Sequence, residues 1–468
     1  MRAWPRNPFG IPGWILLAIV VPSLLIGAII PIFADGMGYQ PGRLAALPAV
    51  LLLGVLLIYD YKMLLMLILL LRSVGDKALE STSFGIGDAR MGIGGLINLV
   101  VIVIACMMVM EKPRMFPKQL ARYWLPVLMM MFVGILTSYE KGAAIKIYLG
   151  MLSYFAIFII AVYTVRSNED FNKAIRLVLW SSVIPTLYSL VDVVLHMRGG
   201  GFRLESTFSH PNVLAFYLTL MLVLCLYVLK SQLFTITPRG RLVICLYMPM
   251  LLGQLLLTQT RSAWLACFLV FLLYAVLFER KYLLYLLLLP LAMLIPSVSD
   301  RLMDLNRGDE MVRYAPLNSF AWRQLLWKSA IDWMEAKRMI LGYGLDGFGH
   351  FAAVFFPVDR TVRWDAHNVY IQFFFEIGAV GLMCYLWLYA RILWTIRLMV
   401  SMNRVSGFLL LAIVIQYLIV SYSDNLFRYL AFNWYFWFSV GGACSLVHLQ
   451  SQSQPDTTRP PGVKRGKI

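Results

Sequence analysis

Long uninterrupted apolar runs constrain the fold of this chain more than any other feature. Of its 468 residues, 60% are hydrophobic and only 14% are charged, whereas soluble domains carry about 45–50% apolar and about 25% charged residues. A bilayer core requires roughly 20 mostly apolar residues per span. Backbone groups in lipid must be satisfied within the segment, so long continuous runs form helices rather than barrel strands. The sequence therefore predicts an all-α, polytopic transmembrane helical bundle.

Hydropathy divides the chain into up to fourteen apolar segments, and we expect about 12–14 spans. The segment 62–73 is short for a span and is a candidate re-entrant piece. The segment 12–33 lacks a small-residue cleavage pattern, so we expect a membrane anchor rather than a cleaved signal peptide. The segments are 12–33, 43–59, 62–73, 93–110, 122–137, 147–165, 174–195, 211–230, 241–259, 262–278, 282–297, 369–396, 405–422 and 429–449.

The basic residues predict the orientation. The net charge is +17, which on a soluble protein would suggest nucleic acid. With the N-terminus in the cytoplasm, strict alternation of the segments puts most basic loop residues on the cytoplasmic side, as the positive-inside rule requires. We therefore attribute most of the charge to topology and the remainder to anionic ligands, with no nucleic-acid partner.

This topology predicts five regions and one large outer loop. Within that loop, Asn318 can cap a helix with Trp322 and Trp333 on one face, which we expect to lie on the membrane surface. We expect the basic tail to be cytoplasmic and disordered. The regions are N-terminal transmembrane helices 1–200, central transmembrane helices 201–297, the large periplasmic loop 298–366, C-terminal transmembrane helices 367–449 and the tail 450–468.

The sequence carries no signal for a metal or another cofactor. The six cysteines all lie in apolar runs, away from loops where an oxidising compartment would pair them. No CxxC or Cys/His spacing suggests a metal site. No Gly-rich phosphate loop is present. Any group transfer must therefore draw its energy from an activated substrate.

The first polar cluster precedes the segment 211–230. Arg203, Glu205 and His210 gather at one membrane boundary, and Pro211 and Asn212 suit a helix start. An ordinary capped loop is the alternative interpretation.

The second polar cluster is the turn Gln259-Thr-Arg-Ser262 between two spans. The turn leaves little room for a solvated loop, so Arg261 either snorkels to the interface or binds phosphate. A guanidinium is a planar fork of donors that fits phosphate oxygens.

The third polar cluster begins at Asp365 and opens the segment 369–396. His367 lies at its mouth, and Asn368, Gln372 and Glu376 follow at i, i+4 and i+8, forming one polar stripe. An imidazole titrating near neutrality suits proton transfer, although a histidine at this place can also be a simple cap. For Glu376, an interhelical hydrogen bond and a functional role are both compatible with the sequence.

Together, arginines and a histidine on one outer face indicate a restricted chemistry. The arginines can hold a diphosphate leaving group and offset its developing charge. The histidine can take a proton from an attacking hydroxyl.

At these clusters the sequence resembles the O-antigen ligase and repeat-unit polymerase superfamily of bacterial membrane glycosyltransferases. The resemblance covers roughly residues 202–386 and includes the large outer loop. The stretches that carry it are Thr207-Phe-Ser-His-Pro-Asn-Val-Leu-Ala-Phe-Tyr217, Gln259-Thr-Arg-Ser-Ala-Trp264, Gly342-Tyr-Gly-Leu-Asp-Gly347, and His367-Asn368 followed by Gly378 and Gly381 in a His-Asn-x9-Gly-x-x-Gly pattern.

The resemblance implies a fold like that of the lipid-dependent, C-type glycosyltransferases. It also implies metal-independent transfer of a glycan from undecaprenyl diphosphate to an acceptor hydroxyl, at the periplasmic face of the inner membrane. By motif, Arg261 and His367 are the implied catalytic residues. The implied substrate-binding residues are Arg203, Glu205, His210, Asn212, Asp365 and Asn368.

The shared motifs do not separate two activities. Length and the aromatic-rich loop favour a polymerase of O-antigen or exopolysaccharide repeat units. The alternative is a ligase that joins the glycan to lipid A core. The expected partners are the lipid-linked donor, the glycan or lipid A-core acceptor and the bilayer, with a flippase and a chain-length regulator as candidate protein partners. A different class, a lipid-oligosaccharide flippase, is the competing hypothesis.

Overall fold

A computed structural model describes most of the chain. The residues described are 41–81, 83–86, 89–196, 202–288, 296–303, 318–356, 358 and 361–453. The predicted segment 12–33 and most of the tail lie outside the described residues.

The first half of the described chain is helical apart from one short hairpin. Strands β1 (Ser83–Ile86) and β2 (Ala89–Gly92) pair antiparallel, with Ser83 opposite Gly92. The helices are α1 (Pro41–Leu71), α2 (Asp76–Ser81), α3 (Ile93–Glu111), α4 (Lys118–Thr137), α5 (Lys141–Thr164), α6 (Asn168–Ser181), α7 (Val183–His196) and α8 (Pro211–Lys230), with a 3-10 turn at Pro113–Met115.

The second half of the described chain contains the large loop and the C-terminal helices. Two 3-10 segments cover Arg280–Leu288 and Leu426–Arg428. The helices are α9 (Pro238–Leu257), α10 (Arg261–Leu277), α11 (Pro296–Met303), α12 (Ser319–Trp333), α13 (Arg338–Leu341), α14 (Gly347–Phe355), α15 (Val369–Met402), α16 (Arg404–Val420) and α17 (Leu430–Ser453).

The predicted fold class is confirmed: the protein is a polytopic helical membrane protein with a partly helical large loop. In the described residues, eight helical segments are long and apolar enough to cross a membrane, and α10 and α16 are shorter apolar helices. Helix α8 is at the centre of the bundle, since nearly all its side chains are buried. The hairpin is an addition that hydropathy did not predict.

Three predicted segments differ from the structure in detail. Segments 43–59 and 62–73 belong to the one helix α1, broken at Asp60, whose carboxylate accepts from the backbone N–H groups of Lys62 and Met63 at 3.0 Å and so caps the second part. Segment 174–195 is divided between α6 and α7. Segment 282–297 begins as the 3-10 stretch and ends in α11, and residues 289–295 lie outside the description.

The loops gather at two ends of the bundle. At the basic end, Lys230 pairs with Glu279 at 2.5 Å, and Arg176 donates to the carbonyl of Thr235. At the opposite end, which we call the site end, the turn after α4, the three polar motifs, the large loop and the turn after α16 contact one another. This arrangement brings the motifs together.

Part of the large loop is inserted against a break in α15. Gly378 has φ +67°, which interrupts the helix and frees the carbonyls of Phe375 and Glu376. Tyr343 N–H donates to the first at 3.0 Å, and Gly344 N–H donates to the second at 2.8 Å. A Cβ on Gly378 would overlap the carbonyl of Ile340. Glycine is therefore required here both by conformation and by close packing.

Helix α12 has the predicted cap but a different environment. Asn318 accepts from the N–H groups of Phe320 and Ala321. The apolar face, expected to contact the membrane surface, instead packs within the protein: Trp322 contacts Trp364, and Trp333 stacks on Phe375 of α15. The loop therefore has its own aromatic core, which holds α12 over the site end.

Candidate functional site

A continuous polar chain joins the three sequence motifs. Asp424, in the turn after α16, lies 3.8 Å from His367 Nδ1 and accepts from Asn212 Nδ2 at 2.5 Å. The side-chain oxygen of Asn212, Oδ1, accepts from Arg203 Nη2 at 2.9 Å and from the hydroxyl of Thr260 at 3.1 Å. Thr260 directly precedes Arg261. Residues separated by more than 200 positions in sequence thus form one site.

The backbone at these motifs is unusual in the same way. Left-handed backbone is uncommon outside glycine and clusters at functional sites, where the surrounding structure must hold it. In the described part of the chain, the non-glycine residues with positive φ lie in the three polar clusters and in the Gly342–Gly347 stretch of the large loop: Ser206, Gln259, His367 and Asp346.

Arg203 is held by neutral acceptors. Its Nε donates to the carbonyl of Thr258 at 3.0 Å, and Nη2 donates to Asn212. Burial, and secondarily the charge of Arg301, lower the pKa of its guanidinium, while Asp424 and Glu205 act in the opposite direction. A bound anion would favour the charged form of the guanidinium and offset the cost of its burial.

His210 is the cap of α8. Its Nδ1 accepts from the N–H of Asn212 at 3.1 Å, and burial lowers the pKa of its imidazole. Because this bond occupies the Nδ1 lone pair, a neutral His210 carries its proton on Nε2. His210 is thus suited to donate a hydrogen bond and not to act as a base.

Arg261 joins the start of α10 to the large loop. Its Nη1 donates to the carbonyl of Arg301 at 3.1 Å, and its Nη2 donates to the Ser319 hydroxyl at 2.5 Å. The guanidinium is partly buried and turned toward the loop. Arg261 is therefore held against the large loop.

His367 faces a buried carboxylate. The Asp424 side chain is 1% exposed and that of His367 is 34% exposed. Burial opposes ionisation of Asp424, but His367 and the hydroxyl of Tyr429 outweigh it and lower the pKa of the carboxyl. At 3.8 Å, His367 Nδ1 is within ion-pair range of Asp424 but beyond hydrogen-bond distance. A tautomer with its proton on Nδ1 would face this carboxylate and leave the Nε2 lone pair available, which is what a histidine general base paired with a carboxylate requires.

The polar stripe of α15 supports the His367 turn from below. Asn368 caps α15, and its own N–H donates to Asn425 Oδ1 at 3.0 Å. Gln372 Oε1 accepts from the N–H of Ala366 at 2.9 Å and from Asn425 Nδ2 at 3.0 Å, while its Nε2 donates to Glu376. The stripe therefore holds the backbone on both sides of His367.

Glu376 belongs to a second cluster centred on Arg428. Arg428 lies 3.1 Å from Asp365, 3.4 Å from Asp346 and 3.6 Å from the fully buried Glu376. Burial opposes the charge of Arg428, but these carboxylates raise the pKa of its guanidinium. Asp365 is thus paired with Arg428, and Asp424 is the carboxylate beside His367.

Glu205, the remaining predicted substrate-binding residue, lies at the edge of the candidate site. Glu205 is 3.2 Å from Lys77, and this pair is largely exposed.

The main group of residues that sequence reasoning missed comes from one short turn: Asp424, Asn425 and Arg428. The signal was available, because this turn also lies between two spans on the predicted outer side and is polar throughout.

The fold and site define a helical membrane protein with a cationic, histidine-containing site at one end. Residues 243–386 match the family model described as O-antigen ligase, a segment that contains Arg261 and His367. No curated protein matches the chain. The match confirms the resemblance to the O-antigen ligase and polymerase superfamily over this segment and supports a membrane glycosyltransferase of that general type.

Proposed function

We propose that the protein transfers a glycan from undecaprenyl diphosphate to the hydroxyl of an acceptor sugar, at the periplasmic face of the bacterial inner membrane. The observation that carries this proposal is the polar chain from His367 through Asp424 and Asn212 to Arg203. It joins a candidate base to cationic groups suited to a diphosphate, as transfer from a lipid diphosphate requires.

In the proposed reaction the acceptor hydroxyl oxygen bonds to the anomeric carbon of the donor glycan. The bond between that carbon and the phosphate oxygen breaks, and its electron pair leaves with undecaprenyl diphosphate. His367 Nε2 takes the hydroxyl proton, and the imidazolium is stabilised by Asp424. Arg203 and Arg261 hold the departing diphosphate and offset its charge.

We assign the residues near the reaction as follows. His367 and Arg261 are catalytic, and Asp424 is a positioning residue because it acts through His367. Asn212 joins Asp424 to Arg203, and His210 donates from Nε2 toward the substrate. No step is assigned to a metal. We favour polymerisation of surface-polysaccharide repeat units, with ligation to lipid A core as the alternative.

A lipid-oligosaccharide transporter is the second candidate, and one observation favours it. Transporters often have a broken helix with buried charge near the membrane midplane, and α15 is broken at Gly378 beside the buried Glu376. Here, however, the break is filled by backbone of the large loop, and Arg428 joins Glu376 to the site-end loops. Glu376 is therefore connected to the residues of the site end and not to a pathway for substrate across the membrane.

The test is to incubate the purified protein with an undecaprenyl-diphosphate-linked repeat unit, with and without EDTA. We expect release of undecaprenyl diphosphate and growth of the glycan in both conditions. Adding either a second repeat unit or lipid A core as acceptor separates polymerase from ligase. Movement of the intact donor across a proteoliposome membrane without any transfer would instead establish the transporter.

A further inference from the structure

The second half of α15 presents two arginine–tryptophan pairs on one face. Arg391 Cζ lies 5.4 Å from the centre of the Trp387 ring, and Arg397 Cζ lies 4.0 Å from the centre of the Trp394 ring. At about 100° per residue, the four positions fall within an arc of about 120°. Trp387 is 51% exposed and Trp394 is 56% exposed. Because these large rings point out of a membrane bundle, this face contacts lipid.

The face with these two pairs lies toward the basic end of the bundle. Helix α15 starts at the site end, and the helix that follows it is anchored at the other end, where the hydroxyls of Ser406 and Ser231 bond at 2.7 Å. Arg391 Cζ also lies 5.0 Å from the ring of Tyr123, in the second turn of α4. That turn is less than about 10 Å along the axis from the basic-end start of α4. Arg391 is therefore near the level of lipid headgroups.

The protein supplies no anionic partner for these two arginines. In the part of the chain that the structure describes, neither the Arg391 nor the Arg397 guanidinium makes a hydrogen bond or an ion pair. Helices α4, α16 and α17 pack against α15 and contain no Asp or Glu. They add the cations Arg122 and Arg404 instead. An uncompensated charge at a lipid-facing position is costly, so the counter-charge must come from outside the protein.

The direction of the Arg391 side chain argues against simple snorkelling. Side chains on a helix lean toward its N-terminus, which in α15 is the site end. Arg391 accordingly rests on Trp387, one turn closer to the membrane centre. A snorkelling arginine would extend the other way, toward water at the basic end. A guanidinium held at this level is instead placed to bind a phosphate from the lipid side.

We propose that this face of α15 binds an anionic phospholipid from the leaflet at the basic end. The lipid phosphate contacts Arg391 and Arg397, and the acyl chains lie against Trp387 and Trp394. The excess of cations favours a lipid with net negative charge over a zwitterionic one, whose ammonium group they would repel. This binding does not depend on the proposed glycan transfer, which takes place at the opposite end of the bundle.

The test compares two lipids on the purified full-length protein in detergent. Phosphatidylglycerol and phosphatidylcholine with the same acyl chains are titrated, and native mass spectrometry gives the dissociation constant of each lipid and the oligomeric state. Competition with inorganic phosphate is measured in the same way. The variants are Arg391→Gln and Arg397→Gln. Arg239→Gln, which removes an exposed basic-end arginine of α9, is the matched control, and thermal unfolding checks the folding of each variant.

We expect the wild type to bind phosphatidylglycerol at least about tenfold more tightly than phosphatidylcholine. Loss of one hydrogen bond to a charged group weakens binding by about tenfold or more, so each α15 variant should lose most of this preference. Phosphatidylcholine binding should change little, and Arg239→Gln should match the wild type. Since Arg397 is exposed, its variant decides the question if Arg391→Gln does not fold.

Three results would overturn the assignment. The first is equal affinity of the wild type for the two lipids, or full preference for phosphatidylglycerol in either folded α15 variant. The second is displacement of phosphatidylglycerol by millimolar inorganic phosphate, which would indicate a site for free anions. The third is a dimer that dissociates in the α15 variants, which would show that this face is a contact between two copies of the chain.

Discussion

Replacing Asp424 by Asn tests whether a buried carboxylate stabilises the His367 imidazolium. The side chain keeps its size, so packing is preserved, but the negative charge 3.8 Å from His367 Nδ1 is removed. Two unit charges about 4 Å apart interact by about 1 kcal/mol in water and by about 4 kcal/mol at an effective dielectric constant of about 20. Because the His367 side chain is 34% exposed, we take a value of about 2 kcal/mol. Each 1.36 kcal/mol corresponds to about tenfold in rate, so turnover should fall by about 30-fold.

The same substitution has a smaller second effect. Asp424 Oδ2 accepts from Asn212 Nδ2, while Oδ1 accepts from the backbone N–H of Asn425 and from the Tyr429 hydroxyl. If the single amide oxygen of the new Asn keeps the Oδ1 place, its NH2 group faces Asn212 and cannot accept. Asn212 must then flip its amide or lose this bond, and a flip would remove the acceptor used by Arg203. One neutral hydrogen bond contributes about 1 kcal/mol, so donor binding should weaken by about fivefold, well below the effect on turnover.

The assay is single-turnover transfer with saturating lipid donor, alongside the dissociation constant of undecaprenyl diphosphate. Asp332→Asn, the same change at an exposed position on α12, is the control and should behave as the wild type. A turnover for Asp424→Asn within about threefold of wild type would refute the reasoning, since loss of a charge interaction of about 2 kcal/mol lowers the rate by more than this.

Four further predictions follow from the site and its support. His367→Gln should lower turnover by at least about 100-fold while donor binding is kept. Normal turnover would mean that another residue takes the proton from the acceptor hydroxyl. Arg261→Lys should lose most activity in a folded protein, because ammonium cannot reproduce a bidentate fork; full activity would favour snorkelling. A cysteine replacing Lys337, whose side chain is 76% exposed in the large loop, should react with an impermeant thiol reagent in intact spheroplasts, in a variant free of other reactive cysteines. Labelling only after lysis would show that the loop faces the cytoplasm. Gly378→Ala should destabilise the protein in thermal unfolding by at least about 1–2 kcal/mol from its left-handed backbone alone, whereas Gly54→Ala, with open space around it, should not, and equal unfolding temperatures would contradict the required break.

The fold class followed from hydropathy because lipid leaves few alternatives to the helix. The helix breaks were less predictable: Asp60 is one polar residue between two apolar runs, and sequence alone does not say whether such a residue ends a helix or bends it. The segment 282–297 is uniformly apolar, so its 3-10 start has no hydropathy signal.

The candidate site was only partly predictable for a related reason. Arg261 and His367 belong to local motifs, and local motifs are visible in one sequence. Asp424 acts through a contact with a residue 57 positions away in the sequence, and such contacts depend on packing. Its turn was polar and on the expected side, yet nothing in its spacing distinguished a partner of His367 from an ordinary capped turn. The pairing of Asp365 with Arg428 was hidden in the same way.

The insertion of the loop into the break of α15 has a consequence for protein engineering. Backbone groups of residues 343 and 344 complete the hydrogen bonding of a membrane helix, so the loop is not an independent module. Exchanging the loop between related proteins to alter glycan choice would leave two carbonyls unsatisfied in apolar surroundings unless the matching stretch of helix is exchanged as well. A functional chimera should therefore take residues 338–349 and 372–381 from the same parent protein.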